Sequence, residues 1–568
     1  MLKGIGASDG IGIGKALIFN DKPIAYDEGA SEGPKAEKSR FEAAVHTFNE
    51  KNEARAERLN QIGGDGEILR GHIAMLADPY MLSQINELID GGARAEKAVE
   101  TVCGMFISVF SAADDELTRQ RAADVEDIKN EMLKLLLGIE DIDLGSLPPD
   151  TILIVGELTP SMTVEMDREH VVGIVTERGG RTSHSAIISR SLKIPAVLSV
   201  ENALELIPAG SELIVDGSAG EVYRDFDDSV RRRFTEIQKR YAKKAALEER
   251  YRGKPTVTRD GAVKKLYANI GSHKELEAVL EADAEGIGLF RTEFLFMGRD
   301  SMPGEEEQFE AYKTVAAGMK GREVIIRTLD VGGDKDIPYL KLKKEENPFM
   351  GFRAVRYCLA NRGAYKIQLR AILRASAYGN VAVMVPLVTR VDEILEVRAI
   401  IGELKDELDK QNIPYKKDIR VGVMMETPAA CLIADLLAEH ADFFSIGTND
   451  LTGYIMAADR GNADVSYLYS VFDPAVLRAV KHIIASAAKR GIPCGMCGEA
   501  AADPRMLPLL VSFGLDEFSV NPASVLSVRC ALAALDGKAC DAAAEKALAA
   551  GTEQEVLNIL SSFRSEAL

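Results

Sequence analysis

His184 lies in the stretch GGRTSHSAIISR, residues 179–190 of a chain that contains only seven histidines. Two glycines precede it, and hydroxyls flank it at Ser183 and Ser185. The run VVGIVTE (171–177) reads as a strand leading into the glycine turn, and SAIISRSL reads as the start of a helix with Thr182 or Ser183 as its cap. Free backbone N–H groups at such a junction favour an anion. An imidazole with a reference pKa near ~6.5 is largely neutral at neutral pH, so it can act as a nucleophile as well as a base. A phosphoryl group placed on it would meet N–H and hydroxyl donors. A serine hydrolase triad is the competing chemistry. No G-x-S-x-G elbow is present, and Ser183 and Ser185 are too close in sequence to serve His184 as nucleophile.

A second constellation appears in the C-terminal half, at the ends of strand-like runs. One run ends in Arg291, Thr292 and Glu293; the next ends at Arg327, followed by Asp330 and Lys335. Others end at Glu426, at Thr448, Asn449 and Asp450, and at Cys497 and Glu499, with Arg460 inside AADRGN. Converging guanidiniums suit a phosphorylated, carboxylated anion, because arginine forks bind both groups bidentately. Two carboxylates with an open face suit Mg²⁺. The pair Cys494 and Cys497 resembles a CxxC, but positions three apart on a strand point to opposite faces. That reading makes Cys494 packing and turns Cys497 toward the barrel mouth, where it is either a proton donor or a small buried residue. GIGIGKA (10–16) lacks the spacing of a phosphate loop and reads as strand and turn. His46 and His72 lie on helical patterns and read as structural, although His72 could border a docking face. His170, His273, His440 and His482 carry no motif.

The elements that must position these groups follow from periodicity. Residues 31–145 are charged and helical, with spacings such as Phe41, Val45, Phe48 and Leu69, Ile73, Leu76, and read as an inserted helical bundle. Residues 1–30 and 146–226 form a β/α domain with strands at 151–158, 171–177, 195–200 and 212–217. A charged helix with Val230, Phe234, Ile237 and Tyr241 on one side runs through 227–255 and is broken at Gly253-Lys254-Pro255. Residues 256–568 hold eight strand candidates, at 265–270, 286–290, 323–327, 381–386, 419–425, 443–447, 492–497 and 517–520. Eight alternating βα units predict a (β/α)8 TIM barrel, whose chemistry sits at the C-terminal ends of the strands. The fold class is therefore α/β and multidomain.

Composition narrows the partners. The formal net charge of −19 disfavours nucleic acid and favours basic protein partners, so a small anion needs a local basic pocket. Seven cysteines, an odd number spread over 568 residues, read as reduced thiols. No apolar run is long enough to span a bilayer and the start lacks a signal-peptide core, so the expected setting is cytoplasmic, without membrane insertion.

The motif GGRTSHSAIISRS (179–191) closely resembles the phosphohistidine motif of the phosphoenolpyruvate-protein phosphotransferases, the Enzyme I family of sugar phosphotransferase systems. The resemblance continues through LTPSMT (158–163), GLFRTEFLFM (288–297), RTLDVGGDK (327–335), NPFMGFRAVR (347–356), FFSIGTNDLTGYIMAADR (443–460) and GMCGEAA (495–501), and LADPYML (76–82) also fits. It implies that His184 accepts the phosphoryl group of phosphoenolpyruvate, with Thr163 orienting its ring. It implies substrate contacts from Arg291, Arg327, Lys335, Arg353, Asn449, Asp450 and Arg460, Mg²⁺ held by Glu426 and Asp450, and enolate protonation by Cys497. It further implies transfer to the small basic histidine-carrier protein HPr on the helical insert, with pyruvate released as the first step of sugar uptake, a domain-scale hinge motion, and a homodimer through the barrel. Gly453 and Asp9 depart from the residues usual in the family, Gln and Pro. A pyruvate-phosphate dikinase or phosphoenolpyruvate synthase would need an additional nucleotide-grasp domain for which the chain has no room. A non-catalytic regulatory homologue is the other alternative, against which the intact motif residues argue.

Overall fold

The computed structural model describes all residues except 20–25, 27–30, 32, 62–66, 112–115, 140–143, 159–161, 163–165, 168, 181–185, 187–188, 190–191, 193, 298, 300, 333–336, 341, 460 and 568. Four of the sequence-derived site residues, Thr163, His184, Lys335 and Arg460, lie outside the described residues, as does most of the predicted helix after His184. The chain divides into two compact units, Met1–Ala242 and Lys243–Leu568.

The first unit is built on one mixed sheet of eight strands in the order β1-β8-β7-β3-β4-β5-β6-β2. Its centre is β3 (Ile11–Phe19), which runs antiparallel to β7 (Glu212–Asp216) and parallel to β4 (Thr151–Val155). Next come β5 (Val171–Thr176), β6 (Ala196–Leu198) and the edge strand β2 (Ile5–Ser8), while β8 (Glu221–Arg224) and β1 (Leu2–Lys3) close the other side. The strand β8 has no counterpart in the sequence reading, because EVYR sets only two apolar residues between charged ends. The glycines of GIGIGKA are explained by packing. A Cβ on Gly12 would lie 2.1 Å from the Val172 carbonyl oxygen, and one on Gly14 would lie 2.0 Å from that of Asp150. Backbone meets backbone there, which only glycine permits.

Between β3 and β4 stand the helices α1 (Pro34–Gln61), α2 (Glu67–Leu76), α3 (Pro79–Asp90), α4 (Ala95–Ser111) and α5 (Glu116–Leu136). Their core gathers Phe41, Phe48, Leu76, Ile85, Val99 and Ile128, with Val45 and Ile73 packed at its margin. Helical spacing put Phe41, Val45 and Phe48 on one stripe and Ile73 and Leu76 on another, and burying such stripes is what stabilises helices this charged. A long helix, Asp228–Glu249, carries the chain onward and spans the division between the units. Asp227 caps it by accepting from the Ser229 and Val230 N–H groups, each at 2.9 Å. Its Phe234 is buried against Ile11 and Ile214, with Val230 and Ile237 beside it.

The second unit is a closed barrel of eight parallel strands: β9 (Lys265–Ile270), β10 (Gly286–Arg291), β11 (Glu323–Arg327), β12 (Asn380–Val385), β13 (Arg420–Met425), β14 (Phe444–Ile446), β15 (Cys494–Met496) and β16 (Glu517–Val520). β16 pairs back to β9. Alternation along these strands sorts side chains into two cores. Ile325, Ala382, Met384 and Met424 fill the barrel interior with Leu289 and Phe443. Their strand neighbours Val324, Ile326, Val381, Val383, Val423 and Met425 face the surrounding helices. With both faces buried, each strand reads as a continuous apolar run. Among the described residues no helix is long and apolar enough to cross a membrane.

Candidate functional site

The period of two that packs the barrel also aims its chemistry. Arg291, Arg327 and Glu426 each stand two residues beyond an interior residue, Leu289, Ile325 and Met424 respectively. They therefore share its face and occupy the layer above it, at the C-terminal mouth.

Arg327 ends β11 and is only 8 % exposed. Its Nη2 donates to Glu293 Oε1 at 2.7 Å, and its Nη1 lies 3.1 Å from Asp330 Oδ2. Arg353, in the loop before the helix Ala354–Ala360, is 5 % exposed. Its Nη2 donates to Asp330 Oδ1 at 2.8 Å and reaches Asp450 Oδ2 at 3.4 Å. Burial alone would weaken both cations, but Asp330 and Glu426, with Glu293 for Arg327 and Asp450 for Arg353, more than restore them, and both stay charged. Even so, Arg327 Nε and Arg353 Nη1 are buried with no hydrogen-bond partner among the described residues. Orphaned donors of this kind cost about 1–3 kcal/mol each and are rare unless something else fills them.

Glu426 follows β13 and is buried, its Oε1 accepting from the Leu387 N–H at 2.7 Å. Burial first, then the charges of Asp450 and Asp330, hold its carboxyl well above the ordinary range, although Arg327 and Arg353 oppose that shift. Asn449 and Asp450 lie in the first turn of the helix Thr448–Met456 that follows β14, and Asn449 Oδ1 accepts from the Glu499 N–H at 3.4 Å. One turn on, a Cβ on Gly453 would sit 3.3 Å from the Ala458 carbonyl oxygen, so the space for a larger residue is tight. Arg291, at the end of β10, has no hydrogen-bond or ion-pair partner among the described residues and remains partly exposed.

The two thiols separate as strand geometry requires. Cys494 joins the core facing the helices, while Cys497, just past β15, joins the barrel interior with Met424 and Met384. Its Sγ lies 3.8 Å from the Ile446 carbonyl oxygen. Burial pushes the Cys497 thiol up to about 11, a rise tempered by the nearby Ser445 hydroxyl and by the charge of Arg327. It therefore carries its proton at neutral pH.

The structure thus brings Arg291, Arg327, Arg353, Glu426, Asn449, Asp450 and Cys497 to one barrel mouth. Sequence reasoning gave no role to Glu293 and Asp330, although both stand in the strand-end runs, within three residues of Arg291 and Arg327 respectively. It had no signal for Gln368. That side chain is buried on the helix Arg362–Ala375. It accepts from the Leu329 N–H at 2.9 Å and donates to Thr292 Oγ1 at 3.1 Å, and Thr292 in turn donates to the Arg327 carbonyl at 2.8 Å. One amide thus ties together the strand ends that bear the arginines. The remaining histidines with described partners have ordinary ones: His46 with Glu50, His72 with Asp124 and His170 with Asp167.

Comparison with known proteins matches this chain to three family models: the PEP-utilising enzyme PEP-binding domain over residues 245–536, its mobile domain over 147–220 and its N-terminal domain over 3–121. The phosphoenolpyruvate-protein phosphotransferase of Bacillus subtilis is 43 % identical over 559 residues, covering 98 % of each chain. That of Listeria innocua is 41 % identical over 568 residues, covering 100 % of this chain and 99 % of the relative. Among solved structures, an NMR structure of an Enzyme I protein (nEIt) is 33 % identical, covers 43 % of this chain and all of its own, and has a TM-score of 0.38.

Proposed function

From the premise that this chain belongs to the phosphoenolpyruvate-protein phosphotransferase family and is a phosphoenolpyruvate-dependent phosphotransferase of the Enzyme I type, we propose how its residues divide the work. Phosphoenolpyruvate binds at the barrel mouth, where Arg291, Arg327, Arg353, Lys335, Arg460 and Asn449 surround its phosphate and carboxylate. The imidazole of His184, its ring oriented by Thr163, attacks phosphorus. The phosphorus–oxygen bond to the enol breaks as the nitrogen–phosphorus bond forms. Positioning and charge neutralisation supply most of the acceleration in such a transfer. The enolate of pyruvate takes a proton at carbon from the Cys497 thiol, and the thiolate regains one from solvent. The observation that carries this reading is the pair of buried guanidiniums with uncommitted N–H groups beside a protonated thiol.

Glu426 and Asp450 would hold Mg²⁺. They fit the ion: both are oxygen donors, and burial and the neighbouring acids Asp450 and Asp330 hold the Glu426 carboxyl up in a way that a cation would relieve. Among the described residues no group of three or more ligating side chains could hold a metal alone. The shell would therefore need water or substrate oxygens, which Mg²⁺ prefers to keep. When bound, the ion neutralises charge on phosphoryl oxygens.

The phosphoryl group then passes from His184 to HPr, docked on the helical insert at 31–145. A cluster of exposed apolar residues on α3 and α4 supports that docking. Tyr80 and Val109 are 59 % and 62 % exposed, and Tyr80 packs edge-on to Phe106 with ring centroids 6.2 Å apart. Shuttling between barrel and insert requires a hinge motion of domain scale. The barrel, at 256–568, pairs two copies into a homodimer, for which the exposed Leu432 and Leu436 offer apolar surface. A cytoplasmic setting agrees with seven unpaired thiols.

Incubation with labelled phosphoenolpyruvate, Mg²⁺ and HPr, followed by mapping of the modified residue, tests the proposal. Acid-labile label on His184 that moves to HPr is expected, with none in His184→Ala. The same assay with Glu426→Ala is expected to lose Mg²⁺ dependence and activity together. Label that persists in His184→Ala, or full activity in EDTA, overturns the corresponding assignment.

A further inference from the structure

We propose that Asp330 is the positioning residue that sets the gap between the Arg327 and Arg353 guanidiniums, so that both address one anionic substrate. The inference rests on the mouth being the phosphoenolpyruvate site, and it assigns a role to a mouth residue that the sequence left without one.

Arg327 has its own acid in Glu293, at 2.7 Å, and Arg353 has a looser one in Asp450, at 3.4 Å. Among the described residues only Asp330 touches both. Its Oδ2 lies 3.1 Å from Arg327 Nη1, while its Oδ1 accepts from Arg353 Nη2 at 2.8 Å and Nε at 3.3 Å. The two guanidiniums repel each other, and little water reaches either. A carboxylate with one oxygen turned to each is the shortest bridge that can hold them side by side. The bridge occupies Arg327 Nη1 and the Nε–Nη2 edge of Arg353. Arg327 Nε and Arg353 Nη1 are left buried and unpartnered. Those two donors belong to two residues locked to a single spacer, so their separation is fixed before any ligand arrives. An anion that fills both avoids the cost of ordering two long side chains.

Asp330 is itself held. It is buried and follows Leu329, whose N–H is fixed by Gln368 at 2.9 Å. Phe349 lies beneath the Arg353 guanidinium, 5.8 Å from ring centroid to the cationic carbon, and limits its swing. Removing the spacer would therefore free the relation between the two forks while leaving each with one other acid. That predicts a loss in substrate affinity larger than the loss in turnover. A purely structural role would lower stability and leave the affinity of the folded molecules unchanged.

The test is a double-mutant cycle on the full-length protein: wild type, Asp330→Asn, Arg353→Lys and the pair. Phosphoenolpyruvate KM and kcat are measured at saturating HPr, together with thermal melts. Asp330→Asn is expected to raise KM about tenfold or more, with a smaller change in kcat. The double variant is expected to be scarcely worse than the poorer single one, because both substitutions break the same link. Asp330→Glu keeps the charge but lengthens the bridge, so it covers the case in which Asp330→Asn folds poorly. Its KM is expected to rise as well, by less. A wild-type KM in Asp330→Glu, or effects that multiply in the double variant, overturns the proposal. A wild-type chain that takes no label from phosphoenolpyruvate is a different failure. It removes the functional reading of the mouth, and this inference with it.

Discussion

The barrel contains two kinds of buried arginine. Arg529, on the helix Val525–Ala534, is 1 % exposed, and its guanidinium is fully engaged. Nε donates to Thr256 Oγ1 at 3.1 Å, Nη1 to Asp283 Oδ2 at 2.6 Å, and Nη2 to the Asp283 carbonyl at 2.6 Å, with the Tyr251 carbonyl 3.4 Å from Nη1. This arginine stitches the C-terminal helices to the segment that enters the barrel. Arg327 and Arg353 are nearly as buried and equally well supplied with acids, yet each retains an orphaned N–H. Burial and pairing are thus shared by Arg529 and by the two arginines proposed to bind substrate. What separates Arg529 from these two is the unspent donors, Arg327 Nε and Arg353 Nη1, which a ligand could fill.

The largest expected effect tests the same distinction in the thiols. Cys497→Ala should lower turnover to pyruvate by about 10²–10⁴, the usual worth of a positioned acid, with little change in phosphoenolpyruvate binding. Cys494→Ala should leave turnover within about twofold. Equal losses of binding and turnover in Cys497→Ala would argue for packing instead. Next comes one substitution applied at both arginine sites. Arg327→Lys keeps the charge but loses the fork, and kcat/KM should fall by about 10²-fold. Arg529→Lys should cost about 1–3 kcal/mol of barrel stability, seen as a lower urea midpoint, with kcat/KM per folded molecule nearly unchanged. A catalytic defect in Arg529→Lys would erase the contrast. The smallest effect concerns pH. Burial raises the Cys497 thiol to about 11, so its proton-bearing form dominates below that value and is lost as pH rises through it. Iodoacetamide should therefore modify Cys497 slowly at neutral pH and faster toward pH 11, as read by mass spectrometry. Rapid modification at neutral pH would contradict a buried proton donor.

The barrel was legible because its strands are long apolar runs separated by helical patterns, and all eight stand where the runs predict them. Its mouth was legible through strand ends, since a polar residue two positions past an interior one must face the same way. Other features left no such mark. Asp330 looks like any loop acid until the loop curls back between two guanidiniums. Gln368 reaches Thr292 from a helix 76 residues further along the chain, a contact no local spacing encodes. In the first unit β8 was invisible, because EVYR sets only two apolar residues between charged ends and so forms no apolar run. Helical periodicity, by contrast, placed Phe41, Phe48 and Leu76 correctly in the core of the insert.

The split of the two cysteines across the barrel wall carries a chemical consequence. Three residues apart in sequence, they belong to cores on opposite sides of the sheet, so no oxidant can join them without tearing β15 from its neighbours. What looks like a redox couple is two sulfurs on opposite sides of the barrel wall, and Cys494 cannot resolve oxidative damage at Cys497.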